Sequence, residues 1–228
     1  MSQTSITDHK AQGAVIIDRF EDITVPALLR PLLATYKTEH RAYTKAAGKV
    51  DVAEKARDKA LEELAKADVF LDSDVEDLAS SMAGAQLGPR ANPFKKFSPY
   101  SPSKLKALAY AIEVSAVRDL VAAVLAASPP AAVVTVTAKV LKRAGQVEDR
   151  LQAITAPQAA YDKALSARDA LLPGLTRALA KLKAQAKATW MDEPGTFAAM
   201  FAPPERVQLP RARRKPRSAP ASPPEAPK

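Results

Sequence analysis

Large apolar residues recur every seven positions along two long stretches of the chain. In the first stretch the repeat runs Leu29, Tyr36, Tyr43, Val50, Arg57, Leu64, Leu71 and Leu78, with companions at Leu33, His40, Ala47, Glu54, Leu61, Asp68, Val75 and Met82. In the second it runs Val133, Val140, Val147, Ile154, Tyr161, Arg168, Leu175 and Leu182, with companions at Thr137, Ala144, Leu151, Gln158, Leu165, Leu172, Leu179 and Ala186. Such a repeat lays one apolar stripe along a long helix that packs against a partner. The pattern predicts long helices at about 26–82 and 131–190.

Several residues interrupt these two stretches. The charged residues Arg57, Glu54, Asp68 and Arg168 fall on the stripe, so the pattern is not a strict zipper. Breaks are indicated at four places, namely Gly48, a capping-box pattern from Ser73 to Glu76, Pro157 and Pro173. The seven-residue phase continues across all of them, which favours kinked helices in an elongated bundle. A compact four- or five-helix bundle, with true turns at Gly48 and Pro157, is the alternative.

Proline and serine residues delimit the shorter elements. Residues 88–103 contain four prolines and should form an extended connection. Ser101 and Pro102 are typical of a helix N-cap and first position, and they predict a helix over 103–127. Its buried candidates are Leu105, Leu108, Ile112, Val117, Leu120, Val121 and Val124. A short helix is expected at 194–201, a flexible segment at 1–25 and a disordered basic tail at 202–228.

The similar lengths of the two long helices favour an antiparallel pair. This arrangement brings the acidic segment 51–77 beside Lys139, Lys142, Arg143 and Arg150. It also gathers a set of bases at the opposite end, namely Arg30, Lys37, Arg41, Lys45, Arg177, Lys181, Lys183 and Lys187. The stretches match each other at an offset of 111 residues, as in Arg57-Asp58 and Arg168-Asp169. Either an internal duplication or coincidence between two alanine-rich helices would explain that match.

Composition limits the classes of protein that fit. Hydrophobic residues make up 47% of the chain, but 47 residues are alanine, which forms helices well and buries little area. The chain contains no cysteine, which excludes disulfides and thiolate chemistry. No uncharged apolar stretch reaches membrane-span length. We therefore expect a cytoplasmic protein with narrow helix–helix contacts and no membrane insertion.

Catalytic and metal-binding patterns are missing from the sequence. The two histidines, His9 and His40, lie in the expected flexible segment and on the apolar stripe. The run from Asp72 to Asp77 looks briefly like a calcium loop, but it has Asp77 where the loop needs glycine and Ala83 where it needs glutamate. A capped helix start with solvated acids explains it better. We expect a non-enzymatic protein without a metal or cofactor.

Two basic segments are candidates for binding polyanions. The tail concentrates Arg211, Arg213, Arg214, Lys215 and Arg217, and from 206 to 228 it carries seven bases and one acid. Such a run either binds polyanions through counterion release or only keeps the chain soluble. Its Pro/Ala/Arg composition resembles the tails of bacterial histone-like proteins, which implies nucleic acid as the polyanion. The other segment interleaves Arg90, Lys95 and Lys96 with Phe94, Phe97 and Tyr100. Such aromatics either stack on nucleic-acid bases or pin the connection onto the bundle, and the second interpretation is favoured.

Phe197, Met200 and Phe201 form a small apolar face at helical spacing. They either dock into a groove on a partner or fold back onto their own bundle, beside Trp190. Folding back is the favoured interpretation of this segment.

The resulting functional hypothesis is a structural or adaptor protein of unknown process, with a protein partner or self-association through the heptad seams. A nucleoid-associated protein that uses the basic tail and basic end is the alternative. A second alternative rests on the alanine-rich amphipathic helices and Pro/Ala tail, whose composition resembles that of phasins, which coat polyester granules. The narrow, alanine-filled seams count against a surface coat.

Overall fold

The computed structural model describes residues 3–203, with side chains from residue 9 onward, and within that range it consists of seven α-helices and no strand. They are α1 (Gln3–Glu21), α2 (Arg30–Gly84), α3 (Pro102–Leu105), α4 (Tyr110–Ala126), α5 (Ala131–Asp169), α6 (Leu172–Thr189) and α7 (Pro194–Phe201). The predicted all-α bundle is confirmed. None of the described helices is both long and apolar enough to cross a membrane.

The longest helix, α2, packs antiparallel against α5 and α6. Near its C-terminal end Asp74 contacts Lys139 and Arg143, in the middle Arg57 lies over Tyr161, and near its N-terminal end Glu39 approaches Gly174. With 55 residues at about 1.5 Å each, α2 is about 80 Å long. It continues through Gly48 and Ser73. The alternative compact bundle with a turn at Gly48 is therefore wrong, and so is a helix start at Ser73.

The second long helix differs from the single helix predicted at 131–190. Pro157 lies inside α5, which continues past it, so a turn there is also wrong. The break falls instead at Ala170 and Leu171, after which α6 begins with Pro173 in its first turn. Proline is well tolerated in that position because the first N–H groups of a helix have no intrahelical acceptor.

Two separate hydrophobic cores lie at opposite ends of α2. The first, which we call the α4 core, packs α4 and the connection before it against the C-terminal half of α2 and the N-terminal half of α5. The second, which we call the α6 core, packs α1, α6 and α7 against the N-terminal half of α2. Between Val50 and Leu64 no residue of α2 is buried, and none of α5 is buried between Val147 and Arg168. Here α2 and α5 form a thinner waist, where the Arg57 guanidinium lies 4.2 Å from the centre of the Tyr161 ring.

The N-terminal segment is helical, and the expectation of a flexible 1–25 is wrong for the described residues. Ile16 and Phe20 of α1 are 0% and 1% exposed in the α6 core. These two residues are four positions apart and lie on one face of the helix. The apolar residues of α1 are too few to span a membrane, but they are sufficient to pack this helix against the bundle.

The shorter central helix also differs from the prediction of 103–127. Ser101 is the N-cap of α3, and its hydroxyl accepts a hydrogen bond from the Lys104 N–H, as the sequence predicts. The chain then leaves the helix after Leu105 and starts α4 at Tyr110. Within α4 the predicted core residue Ile112 is 55% exposed, whereas its neighbour Glu113 is 1% exposed. The prediction that Ile112 is buried is wrong.

The seven-residue stripe of the first stretch is buried inside this chain. All seven apolar members of the leading set, from Leu29 to Leu78, are buried, and the apolar companion Leu61 is the exception at 44% exposed. In the second stretch Val133, Val140, Val147, Leu175 and Leu182 are buried as well. Because the seam positions pack against one another within the chain, they offer little surface for a second copy.

Candidate functional site

The residues predicted to bind polyanions do not form one site in the described part of the chain. Arg211, Arg213, Arg214, Lys215 and Arg217 lie outside the described residues. Arg90, Lys95 and Lys96 are exposed on the connection between α2 and α3. Phe94 is 0% exposed, while Phe97 and Tyr100 are half-buried against the α4 core. These aromatics pack the connection onto the bundle. Their rings are therefore less available to stack on nucleic-acid bases beside the three basic residues.

The predicted docking residues fold back onto their own bundle. Met200 and Phe201 are buried in the α6 core, and Phe197 is half-buried against it. The Phe201 ring packs edge-on against Phe20 at a centroid distance of 5.8 Å, and Phe20 stacks on Trp190 at 5.9 Å. Arg19 of α1 holds the end of α7 by donating a hydrogen bond of 2.6 Å to the carbonyl of Ala202. This segment is a cap of the α6 core.

A set of exposed bases lies on the two helices around the α6 core, and we call this set the cationic face. It consists of Arg41, Lys45 and Lys49 of α2 together with Arg177, Lys181 and Lys187 of α6, all of which are exposed. Helix α6 carries no acidic residue. None of the six bases is in an ion pair with a described carboxylate, whereas Lys106, Arg118, Lys139 and Arg143 around the α4 core are each paired with one. Unpaired exposed bases are thus concentrated on the two helices beside the α6 core, although Lys37 there pairs with Glu21.

A buried cluster of three carboxylates lies between α2 and α4. Asp68 and Asp72 are one turn apart on α2, and Glu113 is in the first turn of α4. One oxygen from each of the three lies within 4.8 Å of the other two. Asp68 and Asp72 are half-buried, and Glu113 is buried. We call these three residues the carboxylate cluster.

One oxygen of each carboxyl in the cluster lacks a donor in the described part of the chain. Oδ1 of Asp68, Oδ1 of Asp72 and Oε1 of Glu113 are buried and have no hydrogen-bond partner among the described residues. An unsatisfied buried polar group costs about 1–3 kcal/mol, and more when it is charged. Lys106 is the nearby base, but its ammonium pairs with Glu76 at the rim. When all three carboxyls are ionised, three negative charges therefore face a single positive one.

This environment changes the acidity of the cluster. Burial, followed by repulsion from Asp68 and Asp72, raises the pKa of the Glu113 carboxyl to about 8. Burial likewise raises the pKa of Asp68 and of Asp72 above the usual aspartate value. Lys106 opposes the shift at Asp72 and Glu113 without cancelling it. Burying these carboxylates in ionised form costs free energy, and binding of either a proton or a cation would reduce that cost.

Sequence reasoning had part of the signal for this cluster and missed the rest. Asp68 stands out as a charged gap in the apolar stripe, and Asp72 lies in the acidic run that fails as a calcium loop. The third member, Glu113, is on a different helix and was not singled out. The interpretation of the acids at 72–77 as solvated is wrong for Asp72, which is half-buried, and for Asp74, which is 3% exposed between Lys139 and Arg143.

Comparison of the chain with protein-family models, with curated proteins and with solved structures finds no match in any of the three.

Proposed function

We propose that this protein is a non-enzymatic structural adaptor, a helical rod that holds two separately packed ends at a fixed distance. The observation that carries the proposal is the continuity of α2, a single helix of 55 residues that contributes to both cores. The repeat of buried residues every seven positions supports an antiparallel coiled coil as the architecture of the rod. The waist contains few buried side chains. This favours a role in holding the two cores apart over a role as a catalytic site.

Small-angle scattering combined with light scattering on the full chain tests the rod. We expect a maximum dimension of at least about 80 Å, set by the length of α2. A compact domain of 228 residues would instead have a radius of gyration of about 17 Å. A mass equal to one chain together with a radius near that compact value would contradict the proposal.

A nucleic-acid partner is the second candidate, and the cationic face is the observation that favours it. Exposed bases without acidic partners attract polyanions by releasing counterions, and the resulting affinity falls steeply with salt. The face lies beside the α6 core, as does α7, after which the chain continues into its basic tail at 206–228. The adaptor would then hold nucleic acid at one end of the rod.

Binding of duplex and single-stranded DNA at low and high salt tests this candidate. A double variant, Arg41→Glu and Lys181→Glu, should weaken binding at least tenfold if the cationic face contributes. The matched control reverses Lys142 and Arg150, exposed bases of α5 that lie away from the α6 core and are likewise in no ion pair with a described carboxylate. Equal losses in both variants would indicate non-specific attraction and remove the face from consideration. Deletion of 206–228 measures the contribution of the tail separately.

A further inference from the structure

The carboxylate cluster joins two helices that are distant in sequence. It connects the C-terminal half of α2 to the first turn of α4, across the edge of the α4 core. Glu113 shares its face of α4 with Val117 and Leu120, which are buried. An aliphatic residue at this position would simply extend that core, and Ile112, the adjacent residue, is left 55% exposed instead. A packing role alone does not account for a carboxylate here.

The buried and unpartnered oxygens point to a positively charged ligand. Glu113 is 1% exposed, and among the described residues its Oε1 has no donor, nor has Oδ1 of either aspartate. A protonated Glu113 carboxyl donates to Asp68, but three ionised carboxylates cannot donate to one another. The set offers oxygen ligands alone, with no histidine or sulfur, and such sets select hard divalent cations over zinc or copper.

The spacing of the oxygens fits one ion. Calcium–oxygen bonds are about 2.3–2.6 Å long, so two oxygens on one calcium ion are up to about 5 Å apart. The three oxygens of the cluster lie within 4.8 Å of one another. Smaller ions such as Mg²⁺ or Mn²⁺ need a modest closing of the side chains and keep more of their water.

We propose that Asp68, Asp72 and Glu113 bind one hard divalent cation, of the class of Ca²⁺, Mg²⁺ and Mn²⁺, which fastens α4 to α2. The cation neutralises two of the three negative charges, and the third remains near Lys106, whose ammonium also pairs with Glu76. The connection from 85 to 109, which precedes α4, contains only the short helix α3. A bound ion would therefore add a polar contact between α4 and α2.

Calorimetric titration of the full chain, first dialysed against EDTA, tests the site. MnCl₂, CaCl₂ and MgCl₂ are titrated separately, and we expect one ion bound per chain for at least one of them. The same ion should raise the thermal midpoint by several degrees, since a ligand that binds only the folded chain stabilises it. Absence of saturable binding by all three ions up to 10 mM (on the order of the weakest biological calcium sites and beyond) would overturn the proposal and leave a cluster that shares protons.

Variants assign the binding to these residues. Glu113→Gln and Asp72→Asn should each lower the affinity at least tenfold and remove the thermal shift, while circular dichroism confirms that each is folded. Asp51→Asn on α2 and Asp119→Asn on α4 are matched controls, because both acids are exposed and outside the cluster. Unchanged affinity in Glu113→Gln and Asp72→Asn, or an equal loss in the two controls, would place any bound ion elsewhere and overturn the assignment.

Discussion

Gly13 of α1 lies directly against the imidazole of His40 on α2, so closely that a β-carbon at Gly13 would overlap the ring. Nε2 of His40 also lies 3.1 Å from the carbonyl oxygen of Lys10, to which it donates in the tautomer that carries its proton there. These two contacts, with Ile16 and Phe20 in the core below, hold α1 against the bundle. Glycine here permits a close approach of two helices.

Replacing Gly13 with alanine should therefore destabilise the fold, although alanine is the better helix former by about 1 kcal/mol. The added methyl group must push His40 aside or lift α1 from α2. Gly48→Ala is the matched control, because no described residue has an atom within 4 Å of its added carbon. That variant should gain about 0.5–1 kcal/mol. Urea unfolding, followed by the fluorescence of Trp190 in the α6 core, measures both. Equal stabilisation by the two changes would contradict the close contact.

Asp74→Asn should cost about 1–3 kcal/mol in the free energy of unfolding, because a buried, hydrogen-bonded carboxylate is lost. Asp74 is 3% exposed, 2.6 Å from the Lys139 ammonium and 3.2 Å from Nε of Arg143. Asp77 also pairs with Lys139, but it is largely exposed. Asp77→Asn should thus cost less than about 1 kcal/mol. Chemical denaturation of both variants at pH 7 checks the ranking, and a larger cost for Asp77→Asn would reverse it.

The metal-free chain should lose stability as pH rises from about 5 to 8. The pKa of Glu113 is about 8 in the folded state, against an ordinary value of 4.5 for an unfolded glutamate. Within that window the folded state holds a proton that the unfolded state has released, so the free energy of unfolding falls with pH. The raised pKa of Asp68 and of Asp72 acts in the same direction.

Glu113→Gln should flatten this decline and make the chain more stable than the parent at pH 8, since an amide stays neutral. Thermal unfolding in EDTA across the pH range measures the slope. Asp119→Asn, an exposed acid of the same helix, should keep the parent's slope. A parent whose stability rises steadily from pH 5 to 8 would show that Glu113 is ionised throughout.

Phe201→Ala should destabilise the α6 core and shift the emission of Trp190 to longer wavelength. Phe201 packs on Phe20, which in turn stacks on Trp190, and loss of a buried phenylalanine costs up to about 3–5 kcal/mol in a fixed core. The cost should be below that range because α7 has only eight residues and is a small part of the core. Leu28→Ala is the control, as Leu28 is 67% exposed. Unchanged stability in Phe201→Ala would favour docking of this segment on a partner.

The heptad repeat allowed most of the fold to be predicted, because narrow seams leave only one face of each helix apolar. The stripe identified Leu29 through Leu78 as buried, and the serine–proline pair identified the start of α3. Pro173 marks an interruption close to the break at Ala170, but the apolar phase runs straight across it and so favoured a kink over a new helix. The docking of α1 depends on two large apolar residues and one glycine, too few to stand out in a sequence.

The sequence indicates only part of the carboxylate cluster. Asp68 interrupts the apolar stripe of α2, so it can be recognised from the pattern of that helix by itself. Glu113 is different, since α4 carries apolar residues on several faces and its rotation is fixed by packing against α2 and α5. Either Ile112 or Glu113 could face inward until the neighbouring helices are in place.

The most direct test of the rod is a spin-label distance across the waist. Ala34 and Ser73 are exposed on α2, on either side of the waist, and the chain has no native cysteine to interfere with labelling. The double variant Ala34→Cys, Ser73→Cys should give one narrow distance distribution centred at about 58 Å, as expected for an unbroken helix at about 1.5 Å per residue. A distance below about 40 Å, or a broad distribution, would show that α2 bends or breaks between the two cores and would contradict the spacer.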